Sequence, residues 1–385
     1  MLMKILLFNA FAFLAFASAS AQFNENAPWM KELNGNEQTS KSFKSTHSLY
    51  DISDAFNDYW RDKDYSKKGS GFKPYKRWEN YWSYYIDKNG NLPTSYDLWE
   101  SWKSKQESIG KELNPTASWN AIGPFTHDTY SGALSGQGRV NAIAVDPNNA
   151  NIWYVGAPAG GIWKSIDGGA SWVNLFDDFP QIGVSGIAID PNNSQIIYIA
   201  TGDDDAADSY SVGVFKSIDG GNSWNETGLN PSTSNINLLM NEITIDPTNS
   251  NTIWVATSVG LQKSIDGGTT WEVKRAGNIQ DFKLKPNDPN TIYAVTSNTF
   301  VKSTDGGNTF TEITDGIPGS SGRLVIGTSV ANPSGVYLLR ALTGGNSFAF
   351  GGLYKSLDSG ESFTKTASEQ DIFESNQAWF DLAIE

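Results

Sequence analysis

Ser165-Ile166-Asp167-Gly168-Gly169-Ala170-Ser171-Trp172 decides how this chain is read, because it returns four times. Residues 217–224 read SIDGGNSW, 264–271 SIDGGTTW, 303–310 STDGGNTF and 356–363 SLDSGESF. The shared positions are a serine (Ser165, Ser217, Ser264, Ser303, Ser356), an aspartate two residues on (Asp167, Asp219, Asp266, Asp305, Asp358) and a glycine two further on (Gly169, Gly221, Gly268, Gly307, Gly360). A closing aromatic follows: Trp172, Trp224, Trp271, Phe310 and Phe363. A lysine stands before every serine. Such a pattern suits a tight hairpin turn. The carboxylate accepts backbone N–H bonds, the glycine supplies positive φ, and the aromatic packs beneath. Five copies imply a repeated mechanical role for these aspartates rather than catalysis.

The boxes begin at residues 165, 217, 264, 303 and 356, a spacing that matches one four-stranded propeller blade. Upstream of each box the sequence repeats as well. VNAIAVDP (140–147) is followed by IWYVG, VSGIAIDP by IIYIATG, MNEITIDP by TIWVATS, and IQDFKLKP by TIYAVTS. Each unit is therefore a β-branched or aromatic run, an Asp/Asn/Pro turn, a second run, and a third that enters the box. The fifth unit keeps its strands, around Arg323–Thr328 and Val336–Leu339, but lacks the Asp-Pro. The expected fold is all-β: a propeller of Asp-box blades, five recognisable and a sixth begun at AWFDLAIE (378–385). An unfinished blade leaves a bare sheet edge, so the chain is expected to be incomplete at its C-terminus.

The pattern resembles the Asp-box, or BNR, repeat of sialidases, xyloglucanase-type glycoside hydrolases, photosystem assembly factors and the Vps10 domain of sortilins. The resemblance covers residues 119–385. It implies the propeller and leaves function open, since the turn occurs in enzymes and binding proteins alike.

Ahead of the repeats, residues 1–21 carry Lys4, the apolar run 5–17 and Ala19-Ser20-Ala21, the marks of a cleaved signal peptide. Residues 22–46 are polar and read as a loose mature N-terminus. Residues 47–114 read as an aromatic-rich helical leader, with helices expected over Ala55–Trp60, Lys73–Ile86 and Tyr96–Lys105, and the propeller follows over 115–385. Trp78, Tyr81, Trp82 and Tyr85 fall at helical spacing. They read as a packing stripe, with a sugar platform as the alternative. The stretch 72–82, with Trp119-Asn120-Ala121-Ile122-Gly123-Pro124 and Gly138-Arg139-Val140, resembles the opening of large secreted Bacteroidota proteins. That resemblance implies the type IX secretion machinery as a partner wherever the full-length chain carries a sorting domain.

The chain has no cysteine, and its net charge is −14. A disulfide-stapled module is excluded, and nucleic acid or an anionic membrane is disfavoured as a partner. No later run is apolar enough to span a bilayer. In xyloglucanase-type relatives an acid precedes the Gly-Gly that opens the third strand of the first blade; Pro158 occupies that place here. A sialidase implies an Arg-Ile-Pro segment and three arginines, whereas the propeller region offers Arg139, Arg275, Arg323 and Arg340 without that segment. The two histidines, His47 and His127, give no triad or zinc site. One acidic loop stands out, GDDDAADSY (202–210). Asp203, Asp205 and Asp208 are candidate calcium ligands, one of them a candidate acid, against the plain reading of a solvated turn. The favoured function is a secreted propeller that binds a glycan or a protein. The alternative is an extracellular glycoside hydrolase of the BNR type.

Overall fold

The structure is a computed structural model. It describes residues 27–34, 47–67, 70–109, 138–177, 179, 182–204, 209, 211–230, 238–319, 322–342, 349–366, 372 and 382–384. The signal-peptide stretch, His127, Trp119–Pro124, Asp205 and Asp208 lie outside these. The chain forms two compact units, 1–94 and 95–385.

The first unit holds three helices, α1 (Lys31–Asn34), α2 (Leu49–Trp60) and α3 (Phe72–Trp82), after a 3-10 turn at Pro28–Met30. A capping box starts α2: Ser48 Oγ accepts from Asp51 N at 3.2 Å and Asp51 Oδ2 accepts from Ser48 N at 3.0 Å. The core is aromatic. Phe56 stacks on Tyr75 at 3.8 Å, and Trp29 stands edge-on to Phe56 at 5.0 Å. The segment expected to be a loose N-terminus thus contributes Trp29 and Met30 to a core, because a few large apolar groups outweigh the polar residues around them. Helix α3 ends at Trp82, four residues short of the expected Ile86. Its stripe therefore divides: Trp78 is buried, while Tyr81 and Tyr85 are exposed.

The second unit opens with α4 (Ser95–Ile109) and continues as five four-stranded antiparallel sheets. Each sheet is a meander in sequence order, and the first strands of successive sheets lie against one another. This is a β-propeller. Its blades span 142–174, 184–226, 240–276, 281–313 and 322–365. The inner strands are Ala142–Asp146, Val184–Ile189, Met240–Asp246, Asp281–Lys285 and Gly322–Ser329. Four apolar cores fill the spaces between neighbouring blades. Second strands are sandwiched on both faces, which is why Ile197–Thr201 is buried throughout and its run does not alternate. Ile143 of blade 1 is 62% exposed, whereas its register equivalents Ile243, Phe282 and Ile326 are at most 1% exposed, each facing a preceding blade. Leu382, beside Ile384, packs on Val325, Leu339 and Ala341 of blade 5.

The boundary between units falls at 94/95 rather than 114/115. Trp99 and Trp102 stack at 4.7 Å, Trp99 meets Phe215 of blade 2 edge-on, and Trp99 Nε1 donates to Glu226 Oε1 at 3.1 Å. Among the described residues no helix is long and apolar enough to cross a membrane.

Candidate functional site

A four-stranded meander places its first and third turns at one end and its second turn and exit at the other. Backbone bonds fix the Asp-box end. The box residue after each aspartate donates to a carbonyl of the first turn of its own blade: Gly168 to Asn151, Gly220 to Gln195, Gly267 to Asn251, Gly306 to Asn290 and Ser359 to Ser334, all at 2.9–3.0 Å. All five boxes therefore share one face with the Asp-Pro turns.

Within a box the buried serine is the hub. Ser165 Oγ accepts from Gly169 N at 2.8 Å and Asp167 N at 3.3 Å, and donates to Asp167 Oδ1 at 2.7 Å. Asp167 also accepts from Ser171 N at 2.9 Å and from Ser171 Oγ at 2.6 Å. The other four boxes repeat these bonds. Both glycines adopt positive φ, 70° and 90° at Gly168 and Gly169; in the fifth box Ser359 takes the first position at 61°. Hydrogen bonds from the second serine or threonine of the box push Asp167, Asp219, Asp266 and Asp305 down to about 2. Asp358 lies lower still, held first by Ser356 and then by Ser362. Such carboxylates neither take up a proton near neutral pH nor stand free to accept one from a nucleophile.

The lysine before each serine has a related job, which sequence reading registered but did not explain. Lys164 Nζ donates to the carbonyl of Gly220 at 2.8 Å, the first glycine of the next blade's box. Lys216 reaches Gly267 at 3.3 Å and Lys263 reaches Gly306 at 3.0 Å. Tyr154 and Tyr198 hydroxyls donate to the same Gly220 and Gly267 carbonyls at 3.0 Å. In each blade the lysine sits directly across the sheet from an aromatic: Tyr154, Tyr198, Trp254, Tyr293 or Tyr337. In the first three blades the lysine bonds the next box directly, and Lys302 instead meets Glu361 of the fifth box.

The opposite end of the propeller varies more from blade to blade than the boxes do, although Asn141 and Gln280 share one register position and Glu242 and Asp281 another. At the starts of the inner strands stand Asn141 in blade 1, Glu242 in blade 3, Gln280, Asp281 and Lys283 in blade 4, and Arg323 in blade 5. Asp203 and Asp204 approach from the acidic loop of blade 2. Arg139 Nη2 meets Asp203 Oδ1 at 2.6 Å, and Asn141 Nδ2 donates to Asp203 at 2.9 Å and Asp204 at 3.1 Å. Arg323 Nη2 lies 3.9 Å from Asp204 Oδ2. Blades 2 and 5, not adjacent in the chain, thus converge near the axis. Lys283 Nζ lies 3.3 Å from Glu242 Oε2 and 3.2 Å from Asp281 Oδ1, while Asp281 Oδ2 accepts from Ile326 N at 2.6 Å.

Two carboxylates share one ammonium at Glu242, Asp281 and Lys283, leaving one excess negative charge. Desolvation raises Glu242 above the usual carboxyl range; Lys283 opposes the shift and Asp281 adds to it. A third of the Glu242 side chain is still reachable by water, yet protein atoms enclose it on most sides. Burial disfavours the Lys283 ammonium, but the two carboxylates override it and hold the lysine above its ordinary range. Two amide oxygens at this end, Asn141 Oδ1 and Gln280 Oε1, are buried with no hydrogen-bond partner among the described residues.

The sequence-nominated acidic loop is only partly brought here. Asp203 is fully buried and neutralised by Arg139, an arrangement that ties blade 2 to blade 1. Among the described residues no group of three His, Cys, Asp or Glu side chains is placed to hold a metal ion. Of the four arginines of the propeller region, Arg139 and Arg323 meet this loop. Arg340 is buried within blade 5, and Arg275 lies on the outer strand of blade 3. Pro158 turns between the second and third strands of blade 1, its carbonyl accepting from Ser209 Oγ at 2.5 Å. His47 belongs to the helical unit.

No family model matches the chain. Over 74 residues it is 38% identical to a xyloglucanase of Hypocrea jecorina, a match covering 18% of this chain and 8% of that protein. Among solved structures, a GH74 enzyme of Niastella koreensis aligns with a TM-score of 0.49 at 27% identity, over 60% of this chain and 38% of the enzyme. The GH74 xyloglucanase of Xanthomonas campestris aligns with a TM-score of 0.47 at 18% identity, over 62% of this chain and 40% of the enzyme. The chain spans well under half the length of each of these proteins.

Proposed function

We propose that the chain is an exported β-propeller that binds a neutral glycan at the end opposite its Asp-boxes. The observation that carries this reading is the pair of buried acceptors, Asn141 Oδ1 and Gln280 Oε1, at the starts of two inner strands. A buried polar oxygen calls for a donor, and a sugar hydroxyl is one. The local similarity to a xyloglucanase supports a polysaccharide as the ligand class. A protein ligand, as the Vps10/sortilin resemblance implies, and passage through the type IX machinery belong to the same exported-propeller reading.

A second reading, glycoside hydrolysis, has one specific observation in its favour. Glu242 is held above the usual carboxyl range, as a general acid requires. A glycosidase needs a second carboxylate facing it, and Asp281, its neighbour, is occupied by Ile326 N and Lys283. Calorimetry with xyloglucan, alongside an assay for released reducing ends, tests both readings. Binding without release that weakens in Asn141→Ala supports the first. Release abolished in Glu242→Gln with binding retained establishes the second, and no binding at all sinks both.

A further inference from the structure

Blades 2 to 5 each bury one wall of their sheet against the blade before them, and blade 1 does not. On blade 2 that wall holds Ile197, Ile199 and Phe215, at most 1% exposed, with Tyr154 and Ile162 of blade 1 packed over them. The same register positions on blade 1 hold Trp153, Val155 and Trp163. Trp163 is 37% exposed, and Ile143 and Val145 on the same face are 62% and 44% exposed. A repeat at the end of a stack needs a polar outer face to stay soluble alone, and this one is apolar.

The box of blade 1 lacks its lysine latch as well. The Nζ of the preceding blade's lysine lies 3.2–3.8 Å from where a Cβ would stand at Gly220, Gly267 and Gly306. At Gly168 what lies in reach is Asn151 Oδ1 of its own blade, at 3.9 Å, and among the described residues no lysine donates to its carbonyl. The second box glycine repeats the contrast. Tyr154, Tyr198, Trp254 and Phe300 reach Gly221, Gly268, Gly307 and Gly360 from the blade before, whereas Gly169 meets its own Trp172. Blade 5 carries the missing donor. Lys355 Nζ lies 5.6 Å from the Tyr337 ring, much as Lys164 lies 5.3 Å from Tyr154, but among the described residues no following box stands before it. Tyr337, Leu353 and Lys355 are half-buried on that wall, while Leu382 and Ile384 rest on its inner part, against Val325, Leu339 and Gly327.

We propose that the bare wall of blade 1 is an interface with a second copy of this chain, whose blade 5 docks there through Tyr337 and Lys355. The contact repeats between chains the interface that each chain already makes between its own successive blades. Lys355 Nζ donates to the Gly168 carbonyl, the Tyr337 ring covers Gly169, and Ile143 and Val145 fill the apolar centre. The strand Ala142–Asp146 takes the place that 382–384 hold on the copy's blade 5. Two different walls meet, so the contact is heterologous, and each added copy brings one wall of each kind. Assembly therefore continues with concentration and does not stop at a dimer.

The test is sedimentation velocity of the full mature chain across a wide concentration range. The expected result is an average mass that rises with concentration. Ile143→Asp is expected to hold the chain monomeric, and Lys355→Met to weaken association about tenfold. Ile143 is exposed in the single chain, so at dilutions where the parent is monomeric its variant should melt with the parent. Ile384→Asp should tighten association, because it loosens the segment that the copy displaces. A parent that stays monomeric throughout overturns the proposal. An Ile143→Asp chain that melts well below the monomeric parent shows the wall covered within one chain, and overturns it too. So does a lone dimer that Lys355→Met leaves unchanged, since two blade 1 walls meeting each other need no latch.

Discussion

The two ends of the propeller use charge in opposite ways. On the box face the same aspartate appears five times, exposed to water, and each is bonded within its own turn and pushed well below the ordinary carboxyl range. At the other end the charged groups differ from blade to blade, apart from the register-equivalent Glu242 and Asp281, and most of them meet across blade boundaries. Glu242 there is pushed up rather than down. A local turn can satisfy a carboxylate completely. A meeting of distant strands leaves charge unevenly shared, and such sites are where ligand chemistry resides.

The strongest way to break this comparison is through the box backbone. Gly307 has φ of 86°, and a Cβ there would lie 2.4 Å from the Trp254 ring of the preceding blade. Gly307→Val is expected to cost on the order of 3 kcal/mol, from left-handed strain plus overpacking, read as a lowered denaturation midpoint with xyloglucan binding per folded molecule unchanged. Lys283→Met at the other end strands two carboxylates. Breaking a fully buried pair costs more, but with a third of the Lys283 and Glu242 side chains exposed and only Asp281 buried about 2 kcal/mol is expected at neutral pH. Here binding should fall as well, and a pure stability loss would argue that the axial cluster is only structural. Ser264→Ala deprives Gly268 N and Asp266 of their buried partner and should cost about 1–2 kcal/mol. The smallest effect belongs to the latch, with Lys216→Met expected at about 0.5 kcal/mol.

Acid sharpens the contrast. The box aspartates have folded values below their unfolded ones, so their stabilisation is present above about pH 4 and is lost as pH falls toward 2. Glu242 is raised, so its contribution is fully present below its unfolded value near 4.5 and fades as pH rises through its folded one. Melting temperatures should therefore drop steeply between pH 4 and 2 in both parent and Glu242→Gln. Between pH 4 and 7 the parent should lose ground relative to that variant. The reverse trend would mean Lys283 wins and Glu242 is an ordinary ion pair.

Much of the fold was legible because its signals are short-range. Serine, aspartate, glycine and aromatic at fixed offsets in Ser165–Trp172 specify a turn, and the runs before it specify strands. Other features were visible but mute: the lysine at 164, 216 and 263 could be counted, yet its acceptor lies in the next blade. Trp99 and Trp102 carried the same helical aromatic pattern as Trp78, and nothing local told that one pair covers the sheets while the other residue enters a helical core. Trp29 was hidden by the polarity of its neighbours.

By itself the sequence determined the repeat, the blade length, the box turns and the absence of disulfides, since each depends on residues within a few positions of one another. Tertiary structure alone decided which polar residues meet. Arg139, Asp204, Glu242, Lys283 and Arg323 are each separated from the next by about 40 residues or more. They share one end of the molecule because every inner strand starts there and the blades turn about a common axis. Burial at that axis, which no local pattern encodes, is what raises Glu242 and leaves the oxygens of Asn141 and Gln280 in need of a donor.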